Sequence, residues 1–124
     1  MPRPYTRRLG QLGERMAAQY LCSQGYWILE TNARSSLGEI DIVAQEGDIL
    51  AFVEVRTRRG SAFGTPEESI TARKRQKLRE LAEDYRQTHP QAPAAYRIDV
   101  VVVELTSGGK MQRVELIRGA VGEE

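Results

Sequence analysis

The sequence predicts an α/β domain: one mixed five-stranded sheet flanked by helices. Three observations carry that expectation. Two segments place apolar residues at helical spacing, five short runs are rich in β-branched and aromatic residues, and their order is helix, three strands, helix, two strands. One sheet with short connections satisfies that order. At 124 residues the chain is long enough for one core and too short for two. Residues 1–124 therefore read as a single domain, with a core over about 7–118 and short flexible tails.

The first helix is expected from Leu9 to about Ser23. Leu9, Leu12, Met16 and Tyr20 follow one face with Ala17 and Leu21 beside them, and Gly25 is placed to cap the last turn in a left-handed conformation. "YWILETNAR", from Tyr26, reads as a strand. "GEIDIVAQ" and "DILAFVEVRTR" are two more, joined by a turn at Glu46-Gly47-Asp48. "RRGSAFGTP" is a loop by its glycines and proline. Pro66 is expected to open the second helix, with Glu67 and Glu68 in its first turn and a stripe of Ile70, Leu78, Leu81, Ala82 and Tyr85. That helix ends before His89-Pro90. The continuous valines of "YRIDVVVVEL" predict a strand buried on both faces, and "TSGGK" turns into the last strand, "MQRVELI".

Composition removes several function classes. No apolar run approaches the roughly 18 residues that span a bilayer, so no membrane role is expected. No hydrophobic stretch comes after "MPRPYTRRLG", so no signal peptide is read there. Cys22 is the single cysteine, which excludes an internal disulfide and fits a reducing, cytoplasmic compartment. One cysteine and one histidine make no zinc site within one chain, so any metal must be held by oxygen. "GERMAA" lacks the lysine and spacing of a phosphate-binding loop. Ser35 and Ser36 have no histidine nearby for nucleophilic catalysis, and His89, beside Pro90, reads as a cap or surface residue.

The net charge of +1 hides local surpluses. Residues 56–79 hold eight basic side chains against two acidic ones, and Arg3, Arg7, Arg8 and Arg15 are opposed only by Glu14. Such surpluses suit a phosphate-binding surface. By charge alone a solvated helix face is the favoured reading.

The acids in the core strands are the strongest signal. By alternation Asp41 shares a face with Glu39 and Val43, opposite Ile40 and Ile42, while Glu54 and Arg56 share one with Phe52. In a hairpin with those faces aligned, Asp41 and Glu54 converge. Buried carboxylates need cations or a wet cleft. Convergent carboxylates suit Mg²⁺, which takes oxygen ligands and keeps waters for substrate phosphates. A simple Asp41–Arg56 or Glu54–Arg56 ion pair is the plainer alternative. Glu14 lies at the edge of the apolar arc of the first helix, reaching inward or serving as an exposed first-turn acid. Lys74 falls four residues before Leu78, on the apolar stripe of the second helix. It either snorkels or aims its ammonium at the carboxylates. Arg97 and Asp99 bracket Ile98 and either line the cleft or pair with each other.

A helical Glu14, then "GEID", then "FVEVR" resembles the PD-(D/E)XK nuclease signature. Over residues 7–105 the chain is similar to the small bacterial YraN family, endonuclease-like and related in fold to archaeal Holliday junction resolvases. The likeness rests on Gly10–Glu14, Gly25–Tyr26, Asn32, Gly38–Asp41, Phe52–Arg56, Pro66, Lys74 and Arg97–Asp99. It implies a restriction-endonuclease-like core that binds DNA and cuts phosphodiesters with Mg²⁺ or Mn²⁺. Asp41, Glu54 and the Val55 carbonyl would be the metal ligands, and Glu14, Asp41, Glu54, Arg56 and Lys74 the catalytic set. Arg7, Arg8, Arg58, Arg59, Arg73, Arg75 and Lys77 would contact DNA. The departure is Arg56, where the signature has lysine; arginine keeps the charge but cannot deprotonate to act as a base. Lys74 is the candidate substitute. Three readings are open: a nuclease for structured or branched DNA, a nucleic-acid-binding module with weak or no catalysis, and a protein-interaction scaffold. A homodimer would suit a branched substrate, since two-fold symmetry supplies two sites.

Overall fold

A computed structural model of the chain describes residues 4–59 and 70–121, with side chains from Arg8 onward. Its elements are α1 (Pro4–Ser23), β1 (Trp27–Ser35), β2 (Gly38–Glu46), β3 (Ile49–Arg59), α2 (Ala72–Thr88), β4 (Tyr96–Leu105) and β5 (Met111–Ile117). The strands form one sheet in the order β1-β2-β3-β4-β5. All pairs are antiparallel except β3–β4, which are parallel because the connection carrying α2 returns the chain to the same end. The α/β class and the mixed five-stranded sheet expected from the sequence are therefore present.

Alternation along the strands divides the core between two faces. Ala17 and Leu21 of α1 pack with Ile42, Ala44, Ala51, Val53, Val101 and Val103. Leu78, Leu81 and Ala82 of α2 pack with Val43, Leu50, Phe52 and Ile98. Neighbouring residues of one strand fall into different clusters, so the helices cover opposite faces. That arrangement buries β4 almost throughout.

Helix α1 begins at Pro4, earlier than its apolar period suggests. The period starts only at Leu9, where the helix meets the core. At its far end Gly25 adopts φ +92 and Tyr26 N donates to Leu21 O at 3.0 Å, the bonding of a Schellman cap. Helix α2 opens at Thr71, whose side chain accepts Lys74 N at 3.1 Å. Pro66, Glu67 and Glu68, expected to open it, lie outside the described residues. Ile70 precedes the helix rather than sitting on its stripe, yet it is buried beside Val100 and Val102. The core also runs past residue 118: Gly119 N donates to Asp99 Oδ1 at 2.8 Å, and Val121 is buried in the α2-side cluster. Among the described residues no helix is long and apolar enough to cross a membrane.

Arg97 and Asp99 pair. Arg97 Nε donates to both Asp99 oxygens, at 2.9 and 3.1 Å, and Tyr26 OH donates to Oδ2 at 2.8 Å. Arg97 also reaches Tyr26 OH and Glu46, and Arg118 binds the same Glu46. Burial and the bond to Asp99 push the Tyr26 hydroxyl up to about 12. This network clasps the α1–β1 turn, the end of β2, β4 and the segment after β5.

Helix α1 lies directly on β3 at Gly13. A Cβ there would sit 1.8 Å from Thr57 Oγ1 and 2.8 Å from Thr57 Cβ and Cγ2. Only glycine permits that approach, which carries Glu14 to the sheet. Gly13→Ala should destabilise by about 1–3 kcal/mol in urea unfolding, overpacking outweighing the gain of up to about 1 kcal/mol in helix propensity. Adding Thr57→Ala removes Oγ1 and Cγ2 and should recover part of the loss. A Gly13→Ala chain as stable as the parent would refute the close approach.

Candidate active site

Helices on opposite faces cannot ordinarily present side chains to one point, yet here they do. The β2–β3 register runs from Glu46↔Ile49 to Ile42↔Val53. Past it, the Asp41 side chain joins the strands: Oδ2 accepts Val55 N at 2.8 Å. The expected alternation also breaks at this point. Ile42 packs in the α1-side cluster, whereas Ile40 packs in the α2-side cluster, so the two isoleucines do not share a face. Across in β1 their partners Thr31 and Ala33 flank Asn32, which has φ 52, a left-handed conformation. A left-handed residue in a strand reverses the side taken by the residues after it, and β2 matches the reversal at Asp41. Asp41 thus sits on the seam between the two faces.

The result is a cleft of about 390 Å³ lined by Glu14 from α1, Asp41, Glu54, Val55, Arg56 and Thr57 from the sheet, and Lys74 from α2, with Leu9 and Gly10 at its edge. All five residues expected to act together are among them. Lys74 Nζ lies 3.4 Å and Arg56 Nη1 3.5 Å from Glu54 Oε2. Glu54 is buried, and these two cations compensate it. Of the two ion pairs foreseen for Arg56, the one with Glu54 forms, while Asp41 bonds the backbone. Lys74 therefore aims at the carboxylates. The Asp41 carboxyl is pushed up to about 7, first by burial and then by the Glu54 charge. Glu14 adds to the rise, and the Val55 N–H and Lys74 oppose it.

Glu14 lies beyond the first turn of α1, and its inward direction is set by Asn32. Asn32 Nδ2 donates to Glu14 Oε1 at 3.1 Å and to Glu39 Oε1 at 3.3 Å, and Arg34 Nε braces Glu39 at 3.0 Å. Asn32→Gly should keep the left-handed backbone while freeing Glu14. Asn32→Ala should lose a further ~1 kcal/mol in urea unfolding, because φ 52 is strained for alanine. Equal stability of the two variants would mean that the backbone conformation is not what Asn32 serves.

The expected DNA contacts are less uniform. Arg8, Arg59 and Arg73 are exposed, and Arg75 and Lys77 are half-buried. Arg58 is committed to the fold: its Nη2 lies 2.6 Å from Oε2 of Glu104, which is buried. The Arg7 side chain lies outside the described residues. Sequence reasoning assigned no role to Gly13, Thr57 or Asn32. Gly13 and Asn32 entered only as part of the family likeness, and the further signal for Asn32 was an asparagine inside a strand, since asparagine tolerates the left-handed region.

The oxygen donors suit a hard divalent cation. Mg²⁺ typically takes one or two carboxylates and keeps several waters, and Asp41, Glu54 and the Val55 carbonyl provide that set. Among the described residues no three Asp, Glu, His or Cys side chains group closely enough to hold an ion by themselves, so backbone and water would have to complete the shell of any ion placed there. The fit rests on Asp41, whose burial beside Glu54 and Glu14 is unfavourable to its charge and which a cation would relieve.

The model of the uncharacterised protein family UPF0102 matches residues 13–103. The chain belongs to this family. Among UPF0102 relatives, the protein of Moorella thermoacetica is 50% identical over 92% of this chain and 95% of its own length. That of Dehalococcoides mccartyi is 47% identical over 97% and 98%. That of Symbiobacterium thermophilum is 45% identical over 93% and 97%. UPF0102 is the YraN family, so the resemblance read from the sequence holds. Among solved structures, SfsA of Pyrococcus furiosus in complex with Ca²⁺ is similar at TM-score 0.39 and 16% identity; the match covers 91% of this chain and 62% of that one.

Proposed function

We propose that this UPF0102 protein is a metal-dependent endonuclease of the PD-(D/E)XK type, acting on structured or branched DNA. The convergence of Asp41 and Glu54 beside Val55, in a cleft reached by Glu14 from one face and Lys74 from the other, carries the reading. Crowding carboxylates in a partly buried cleft is costly, and Lys74 and Arg56 both pair with Glu54, so Asp41 is the acid a bound cation would relieve.

Asp41, Glu54 and the Val55 carbonyl, which line one cleft, would hold the ion. Bound there, Mg²⁺ or Mn²⁺ supplies a Lewis acid for the phosphate and lowers the pKa of a water. The Val55 N–H fixes one oxygen of the Asp41 carboxylate and so orients the side chain in the cleft. Lys74, already on Glu54, brings an ammonium to the cleft from α2 in place of the signature lysine. Arg56 remains protonated and serves as a fixed donor to phosphate oxygens. Glu14, tethered by Asn32, orients water at the rim. Arg8, Arg59, Arg73, Arg75 and Lys77 offer cations to the backbone phosphates. A two-fold dimer would present two such sites to a branched substrate.

Arg56 at the signature lysine favours a second reading, a DNA-binding module without turnover. A cleavage assay on linear, flapped and four-way DNA with Mg²⁺, Mn²⁺ or EDTA decides between them. The nuclease reading expects metal-dependent product from the parent chain and a loss of about 100-fold or more in Lys74→Ala. Cleavage by Lys74→Ala at the parent rate removes Lys74 from the mechanism. Binding without cleavage by the parent, with product gained in Arg56→Lys, establishes the module. Neither binding nor cleavage overturns both.

A further inference from the structure

Glu14 is shared by two hollows. Beyond it, between α1 and β1, lies a groove of about 360 Å³ lined by Gln11, Glu14, Arg15, Ala18, Thr31 and Asn32. We infer that this groove is the track for the DNA strand on one side of the reacting phosphate, with Arg15 as its phosphate contact; the inference rests on the DNA-directed reading above.

Charge is the first argument. Around the carboxylate cleft the cations are matched by acids: Arg56 and Lys74 meet Glu54, and Arg58 meets Glu104. Arg15, one residue along from Glu14, is exposed and makes no ion pair or hydrogen bond among the described residues. Gln11 and Thr31 likewise have side-chain donors and acceptors without a hydrogen-bond partner among the described residues. The second argument is continuity. The grooves meet at Glu14, so a strand with a phosphate over Asp41 and Glu54 passes Glu14 to reach Arg15. The wall there is Asn32, whose amide already holds the Glu14 carboxylate and so moderates its repulsion of the strand. Ala18 and Thr31 give small surfaces against which a sugar can lie. No aromatic ring lines the groove, so binding there reads the backbone rather than stacked bases.

Fluorescence anisotropy with labelled DNA in EDTA and about 0.1 M salt tests the groove without cleavage. Loss of one phosphate contact weakens binding by about eightfold at that salt and lowers the salt slope by about 0.9. Arg15→Ala should show both, and because Arg15 is an exposed helical residue the variant should fold normally. Gln11→Lys should tighten binding severalfold. Gln91→Lys adds the same charge in the loop past the far end of α2 and should change nothing. An unchanged Kd for Arg15→Ala, or equal tightening by both lysine variants, overturns the groove while leaving the nuclease reading intact. A parent chain that binds no DNA, either in EDTA or with Mg²⁺ added, overturns that reading, and the groove with it.

Discussion

Asp41→Asn should abolish metal-dependent cleavage and at the same time make the protein more stable above pH 7. The two effects come from one fact. The Asp41 carboxyl titrates at 3.8 when unperturbed and near 7 in the folded chain, chiefly through burial and then the Glu54 charge. The folded state therefore holds the proton more tightly. Stability linked to that proton is fully present below about pH 3.8 and is lost as pH rises toward 7. A difference of that size corresponds to on the order of 4 kcal/mol. Asparagine carries no charge and its carbonyl still accepts the Val55 N–H. Urea unfolding of parent and variant should coincide near pH 4 and diverge until pH 7, with the variant the more stable. Added Mg²⁺ or Mn²⁺ should then raise the stability of the parent at pH 8 and leave the variant unmoved, because only the ionised carboxylate is a ligand. Coincident curves at pH 8 would mean that Asp41 is not strained by its surroundings. A variant that still cleaves would remove it from the site.

Asp99→Ala is expected to be the most damaging substitution away from the cleft, by about 3–5 kcal/mol. Asp99 is completely buried and accepts from Tyr26 OH, Arg97 Nε and Gly119 N. Removing it leaves the Arg97 guanidinium without its buried partner and orphans two further donors. Domains of this kind are stable by only about 5–15 kcal/mol, so a large unfolded fraction is expected at 37 °C. Asp99→Asn keeps the volume and an acceptor and should cost less. Urea midpoints for both variants provide the check. A loss below about 1 kcal/mol in Asp99→Ala would mean that the network is not what clasps the sheet to the segment after β5.

Element order, sheet class and the identity of the acids at the cleft were all legible in the amino-acid sequence. Asp41 and Glu54 stand out because charge in a strand-like apolar run is visible without any tertiary knowledge. Lys74 was legible from its spacing to Leu78 on α2, and Gly25 from its place after the last apolar turn of α1. Each of these comes from backbone period, which the chain carries locally. The meetings between distant segments were not legible, and folding alone settles them. Strict alternation put Ile40 and Ile42 on one face, but the left-handed Asn32 and the matching reversal at Asp41 separate them. That reversal puts Asp41 within reach of both helices. Likewise nothing local pairs Arg58 with Glu104, Glu14 with Asn32, or Gly13 with Thr57. Those partners depend on strand register and on how closely a helix lies on the sheet. Packing of the whole chain selects both, and no window of residues contains them.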